Sequence, residues 1–293
     1  MQLLIVSGKG GTGKTTLAAT FAQLATSQLI IDCDVEASNL HLLLARAEES
    51  RQPFSGAKIA TALENACIMC GKCTSVCRFG AIQKGEVDWR RCEGCGACVY
   101  ICPAEHLALS ETITGETIVS ATDFGLLSRA EMEPGAEGSG KLVTEIRRRG
   151  ELAAKSAAHT LLDGPPGIGC AVIASMTGCQ MALVVAEASL SGLKDAERII
   201  DLLQQMRVVT SLCINRADVS PELTARLERL CADKTIPLMG KIPYDPVVQI
   251  AQRRGHSLLD YPDSPATKAV LAVWEQLQMK MGVNGNEDCC TSR

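Results

Sequence analysis

Gly8-Lys9-Gly10-Gly11-Thr12-Gly13-Lys14-Thr15, entered from Leu3-Leu4-Ile5-Val6 and left through Thr16-Leu17-Ala18-Ala19, decides how this chain is read. The apolar run ahead of it reads as a short buried parallel strand, and the stretch behind it continues as a helix. Between them stands G-x-x-x-x-G-K-[ST], a phosphate-binding loop. Its glycines let backbone N–H groups turn inward around phosphate oxygens, and the helix N-terminus adds partial positive charge. Lys14 is placed to reach the outer phosphates, and the Thr15 hydroxyl to ligate magnesium. Gly8, Lys9, Gly10, Gly11, Thr12, Gly13 and Thr16 complete the expected nucleotide cradle. The rival, a Gly-rich turn that binds nothing, is disfavoured by a strand and a helix on the correct sides.

Lys9 narrows the class. It follows the first glycine, and the resulting K-G-G-T-G-K-T-T resembles the MinD/ParA group of P-loop ATPases, whose loop carries this additional lysine. The resemblance implies that Lys9 reaches across an ATP-dependent homodimer to the other subunit's nucleotide. A solvated lysine that merely adds positive charge is the plainer alternative.

The 293 residues are enough to bury a sizeable core in one large or two small domains. A net charge of −4 leaves no electrostatic footprint for nucleic acid. No run approaches the length of a membrane span, and the first residues lack a charged-then-apolar signal pattern, so a soluble, cytoplasmic protein is expected. In that compartment 15 cysteines point to metal or redox chemistry rather than disulfides.

Gln28-Leu29-Ile30-Ile31 reads as a second strand running into Asp32-Cys33-Asp34. Carboxylates leaving the C-terminal end of a strand stand at the edge where α/β proteins bind ligands. The segment resembles the family's first switch. This implies that Asp34 orients the attacking water and that Asp32 helps hold the magnesium site; capping of the next helix remains the alternative. Cys33 is expected to be a small packing residue. Thr160-Leu161-Leu162-Asp163-Gly164-Pro165-Pro166-Gly167 is a strand ending in a carboxylate suited to hold magnesium through water. The stiff Gly-Pro-Pro-Gly loop after it suits a γ-phosphate sensor and resembles the second switch. Asn215 sits where relatives contact adenine, with a strand-end turn equally consistent. Pro243, in Ile242-Pro243-Tyr244-Asp245, resembles the segment lining the base. Gly138 to Lys141 lacks the spacing of a second phosphate loop, Arg147 to Arg149 read as a solvated helix face, and a last helix is expected over 264–281 with Ala269, Val270, Val273, Trp274 and Leu277 on one face.

Cys67-x2-Cys70-x2-Cys73-x3-Cys77 recurs 25 residues later as Cys92-x2-Cys95-x2-Cys98-x3-Cys102. This is the two-cluster bacterial ferredoxin pattern, in which the fourth cysteine of each run ligates the other cluster. Cys67, Cys70, Cys73 and Cys102 are therefore expected to hold one [4Fe–4S] cluster, and Cys92, Cys95, Cys98 and Cys77 the second. Structural zinc typically takes two separated C-x2-C pairs and fits this spacing poorly. Pro103 follows Cys102 as the pattern expects, whereas Arg78 stands where the first run would carry proline. Phe79, Trp89 and Tyr100 are expected to pack around the clusters. Cys170, Cys179, Cys213 and Cys231 are expected to be buried small residues.

The expected architecture is an α/β P-loop NTPase, with a mostly parallel sheet flanked by helices and an inserted α+β ferredoxin-like two-cluster domain. The ATPase occupies 1–56 and 112–282, the insert 57–111, and a flexible tail with Cys289 and Cys290 the remaining 283–293. The whole is similar to MinD/Mrp-type ATPases carrying such an insert. That implies ATP/ADP, Mg2+ and two [4Fe–4S] clusters as cofactors, ATP-driven homodimerisation, and a redox or metal-cluster partner protein. It implies no nucleic-acid partner and no stable membrane anchor. The insert leaves the chain shortly after the first switch, so a nucleotide-driven movement is expected to reposition the clusters, and reciprocal linkage follows. The alternative is a MinD-like positioning or scaffold ATPase whose clusters are structural.

Overall fold

The computed structural model describes residues 1–25, 28–44, 49–64, 67–134, 136, 139–155 and 159–282. The tail 283–293, with Cys289 and Cys290, lies outside the described residues, as does Gly138. In chain order the elements are β1 (Gln2–Ser7), α1 (Lys14–Leu24), β2 (Gln28–Asp32), β3 (Glu49–Ala62), α2 (Lys72–Val76), β4 (Ile82–Gln83) and β5 (Glu86–Val87). Next come α3 (Ala97–Ile101), β6 (Leu107–Thr122), β7 (Gly125–Met132), α4 (Gly140–Ala154), β8 (His159–Pro166), α5 (Cys170–Met176) and β9 (Met181–Glu187). The chain ends with α6 (Leu190–Gln205), β10 (Val209–Asn215), α7 (Pro221–Asp233), β11 (Leu238–Ile242), α8 (Pro246–Arg254) and α9 (Pro265–Met281).

Two compact units divide these elements. The first comprises Met1–Ser50, Ile118–Ala130 and Gly138–Arg293. Its sheet runs β11-β10-β9-β1-β8-β2-β7, closed by the Ile118–Thr122 end of β6. From β11 to β7 all neighbours are parallel. Such a sheet is covered on both faces, which is why β1 and β9 are near-continuous apolar runs and β8 is buried from Thr160 to Pro165. The central β1 pairs Leu3 with Leu161 on one side and with Met181 on the other. Helix α9 buries Val270, Val273, Trp274 and Leu277 as its spacing predicts, and Trp274 stacks on Phe21 of α1 at 4.9 Å between ring centroids.

Arg147 and Arg149 correct the expectation of a solvated helix face. Both are buried, and only Arg148 of the three faces water. The Arg147 guanidinium donates to the carbonyls of Ala174 and Ser175 and to Gln2 Oε1, and that of Arg149 to Ser50. Arginine is tolerated there because its stem packs along apolar neighbours while carbonyls satisfy its fork. Ser139 is a plain cap for α4, accepting from the Leu142 N–H.

The second unit comprises Arg51–Thr117 and Glu131–Glu137, wider than the expected 57–111 because β3 and β6 extend as strands of 14 and 16 residues. Between them lie α2 and α3, five residues each and 25 residues apart, with the β4–β5 hairpin. The sequence repeat is therefore also a backbone repeat. Met69 and Gly94 (φ 56 and 62), Gly71 and Gly96 (74 and 76), and Gly80 and Glu105 (62 and 49) take matching left-handed conformations.

Candidate functional site: a nucleotide cleft and two thiolate cavities

The phosphate loop leaves β1 at the C-terminal edge of the sheet and closes on α1 through Gly13, which takes φ 92. A Cβ there would stand 2.5 Å from Asn215 Nδ2, so the position demands glycine twice over. Asn215 reaches in from the end of β10. Its amide donates to the Thr12 carbonyl at 2.7 Å, and its Oδ1 accepts the Arg216 N–H at 2.9 Å. A cleft of about 300–1,000 Å3 is the size class that takes a small ligand such as a nucleotide. This one measures about 660 Å3 and is lined by residues 10–16 of the loop, Asp34, Asn215, Arg216, Pro243 and Tyr244. The structure thus brings the loop, Asp34, Asn215 and Pro243 together, although Asn215 spends its amide N–H on clasping the loop and its Oδ1 on the Arg216 N–H.

Lys14 is the electrostatic centre. Its Nζ stands 3.2 Å from Asp34 Oδ2 and 3.2 Å from Asp163 Oδ1. Burial alone would lower the lysine pKa, but the carboxylates of Asp163 and Asp34 outweigh it and hold the value above normal, so the ammonium stays charged. Burial raises Asp163, opposed by Lys14 and by a hydrogen bond from the Thr15 hydroxyl. Asp163 Oδ2 is buried and has no partner among the described residues. Asp32 is wholly buried: its Oδ1 accepts the Asp34 N–H, and its Oδ2 accepts Ser38 Oγ at 2.8 Å and the Leu40 N–H. Burial, then the neighbouring Asp163, push it up to about 7.

These residues fit a magnesium nucleotide. A hydroxyl, an orphaned carboxylate oxygen and a second carboxylate are hard-oxygen donors suited to Mg2+. At Gly10 and Gly11 an added Cβ would meet nothing within 4 Å, which leaves the inside of the loop open to phosphate.

Lys9 is held elsewhere in its own chain. Its Nζ pairs with Glu187 Oε2 at 2.9 Å and donates to Ser189 and Ser191. The Lys9 hydrogen bond is the main cause that lowers the Glu187 pKa, and Arg216, 3.1 Å from the other carboxylate oxygen, adds to it. Spacing alone does not reveal this anchor. It needs the strand order, since Glu187 ends β9, the neighbour of β1.

In the second unit the crossed cysteine sets fall into two cavities. Cys67, Cys70, Cys73 and Cys102 line one of about 460 Å3. Cys77, Cys92, Cys95 and Cys98 line another, of only about 20 Å3. Backbone N–H groups donate to three of the sulfurs: Ala60 to Cys92 (3.3 Å), Ala81 to Cys77 (3.3 Å) and His106 to Cys102 (3.4 Å). Such donors stabilise thiolate charge and tune cluster potential. Among the described residues no three His, Cys, Asp or Glu converge on a single metal ion. A cubane does not ask for that, because each thiolate binds a different iron. The structure thus gathers each expected set of four cysteines around one cavity, without showing a metal centre in either.

A model of the CobQ/CobB/MinD/ParA nucleotide-binding domain matches residues 3–258. This chain belongs to that family. A protein of Methanocaldococcus jannaschii with no assigned role is 32% identical over 211 residues, covering 71% of this chain and 75% of its own length. The septum site-determining protein MinD of Synechocystis is 24% identical over 267 residues, 88% of this chain and 81% of that one. Among solved structures, MinD of Pyrococcus horikoshii complexed with Mg-ADP superimposes with a TM-score of 0.62 at 19% identity, covering 98% of this chain and 99% of that one. As a member of the CobQ/CobB/MinD/ParA family the chain is a MinD/ParA-like nucleotide-binding ATPase. Among its described residues no helix is long and apolar enough to cross a membrane.

Two expectations about this family member's side chains are corrected. Trp89 and Tyr100 do not pack around the cavities but are exposed, whereas Phe79, though partly exposed, borders the second cavity. Cys170 is exposed at the start of α5, where the chain emerges from the switch loop, whereas Cys179, Cys213 and Cys231 are buried.

Proposed function

We propose that this chain is a MinD-like switch in which MgATP binds across Gly8–Thr16, draws two copies together, and is hydrolysed to release them. The observation that carries the reading is the buried Lys14 held between Asp34 and Asp163 beside the nucleotide-sized cleft. Phosphate competes with both carboxylates for that ammonium. On binding, Lys14 turns to phosphate, Asp34 is freed to orient water, and Asp163 with Thr15 holds magnesium. Asp32 organises the turn that carries Asp34, and Asn215 and Pro243 border the base. Lys9 exchanges Glu187 for the partner copy's nucleotide. Relatives named for septum-site determination support a positioning or scaffold role for the switch, and a MinD of Aquifex aeolicus is known in complex with MinC. Light scattering with MgATP tests it: an Asp34→Asn protein should accumulate as a dimer, and a protein that stays monomeric with bound ATP would sink the proposal.

A second reading is ATP-gated electron transfer or metal-cluster assembly with a partner protein. It is favoured by the two cavities, each lined by the four cysteines that a crossed ferredoxin pattern requires. Two [4Fe–4S] clusters there would supply one-electron chemistry. The chain's own part is to hold them on eight thiolates and to donate backbone N–H groups to the sulfurs. Anaerobic iron analysis and an EPR redox titration with and without MgATP decide it. About eight irons and potentials that move with nucleotide support the reading; eight irons that stay redox-silent return the clusters to a structural role.

A further inference from the structure

The two thiolate cavities are related by the 25-residue repeat, yet their solvent faces differ, and the difference selects one of them as a docking face. Between the first two cysteines of the first set stand Ile68 and Met69, exposed by 62% and 61% although both line the cavity. The repeat places Glu93 and Gly94 at the matching positions of the second set. Lys72 in the first set is matched by Ala97, and Lys84 adds a second exposed cation to the first cavity, whose described lining residues include no carboxylate. Among its described lining residues the second cavity has Glu93 and Phe79 and no cation, with the exposed Arg78 and Arg91 beside it in the chain.

Met69 adds an independent sign. It takes φ 56, a conformation natural for its counterpart Gly94 and unfavourable for a long side chain. Gly94 has to be glycine, since a Cβ there would stand 2.0 Å from the Lys58 carbonyl oxygen. No such contact explains a bulky apolar residue held in the left-handed region and turned to water at position 69. Strained positions of this kind concentrate where a molecule meets its ligand.

We propose that a partner protein presenting an apolar spot ringed by carboxylates docks over Ile68 and Met69, steered by Lys72 and Lys84, and that electrons leave this chain there rather than over the Glu93 face. The inference rests on the reading that clusters fill the cavities. One electron passes from the reduced cluster to a one-electron acceptor on the partner, and no bond or proton changes hands.

The test uses the full chain, prepared anaerobically and reduced with dithionite, against two carriers of opposite charge in a stopped-flow mixer: acidic flavodoxin and basic cytochrome c. At low ionic strength a Lys72→Glu/Lys84→Glu protein should reduce flavodoxin about tenfold more slowly and cytochrome c faster. The gap should vanish near ~0.5 M salt, where exposed charges are screened; a gap that persists there would mark a changed potential and overturn docking. Met69→Gly should slow flavodoxin with iron content and EPR signals unchanged, and Glu93→Lys should leave that rate within about twofold. An unaltered rate in the double lysine variant, or a larger effect from Glu93→Lys, overturns the docking face. Fewer than eight irons per chain overturns the cluster reading beneath it, an outcome that iron analysis separates from the first.

Discussion

Replacing Lys14 with methionine should destabilise the first unit by an amount that depends on pH. The ammonium stands 3.2 Å from both Asp34 and Asp163, in a place where its side chain is 6% exposed and that of Asp163 is 1% exposed. Removing one member of so buried a set costs about 3–5 kcal/mol, because the remaining charges stay out of water. Asp163 and Asp32 are already raised, Asp32 to about 7, and in each case Lys14 opposes the rise. Without it both climb further. A carboxyl whose folded pKa exceeds its unfolded value binds more protons in the native state throughout the interval between them, so stability falls as pH increases through that interval. The slope is at most about 1.4 kcal/mol per pH unit for each group. The penalty of Lys14→Met should therefore be full at pH 8 and smaller by about 2 kcal/mol at pH 6, where the orphaned carboxyls take up protons. Urea unfolding without nucleotide, followed by Trp274 fluorescence in a Trp89→Phe background, measures it. Trp274 is buried against Phe21 and reports on this unit. The same loss at both pH values, or less than about 1 kcal/mol at either, would refute the electrostatic account.

Three further outcomes follow from single contacts. Gly13→Ala forces an alanine into φ 92 with its Cβ against Asn215, and calorimetry should show MgADP binding weakened more than about tenfold. Asn215→Ala removes one hydrogen bond to the loop, worth about 1 kcal/mol, and should weaken MgADP about fivefold while leaving hydrolysis of bound ATP unchanged. Glu187→Gln breaks a half-exposed pair worth under about 1 kcal/mol, so the MgATP concentration for half-maximal dimerisation, read by light scattering, should fall by no more than about fivefold.

What the sequence made legible was local chemistry. The phosphate loop needs glycines, a lysine and a threonine at fixed spacing, and Asp34 and Asp163 follow apolar runs that end at the ligand edge of a parallel sheet. The grouping of the cysteines around two cavities was legible because a repeat of fixed period carries its own geometry, and its backbone echo at Met69 and Gly94 shows how far the repeat reaches. The partner of Lys9 was not legible, because Glu187 lies 178 positions away and only the adjacency of β1 and β9 joins them. Nor was the burial of Arg147 and Arg149, since charge pattern suggests water until the carbonyls of Ala174, Ser175 and Ser50 are found beside them. Cys170 read as apolar packing because a cysteine's type does not tell which end of a helix it occupies.

The second unit carries its own argument about what bound iron would do. Its apolar cluster gathers Ala60, Cys73, Ala81, Ile82, Cys98 and Leu107, with Val76, Cys77, Val87, Cys92 and Val99 partly buried against it, and four of these eleven are cysteines that line the cavities. A domain with so little aliphatic surface to bury needs staples, and a metal centre is one of the few that nature uses at this size. Crossed fourth ligands would strengthen the point, since Cys77 and Cys102 would each join one half of the repeat to the other and close long loops of chain. Binding energy of this kind is folding energy, because the unfolded chain has no preformed site. Stripping the iron with a chelator should therefore unfold the second unit while the first keeps its fold and its nucleotide. Hydrogen exchange reads both at once: amides of α2, α3 and the β4–β5 hairpin should lose protection, and those of β1, β8 and β9 should retain it. If the iron-free chain kept its α2 and α3 amides protected, the apolar cluster would be sufficient by itself, and the cysteines would owe their places to electron chemistry alone.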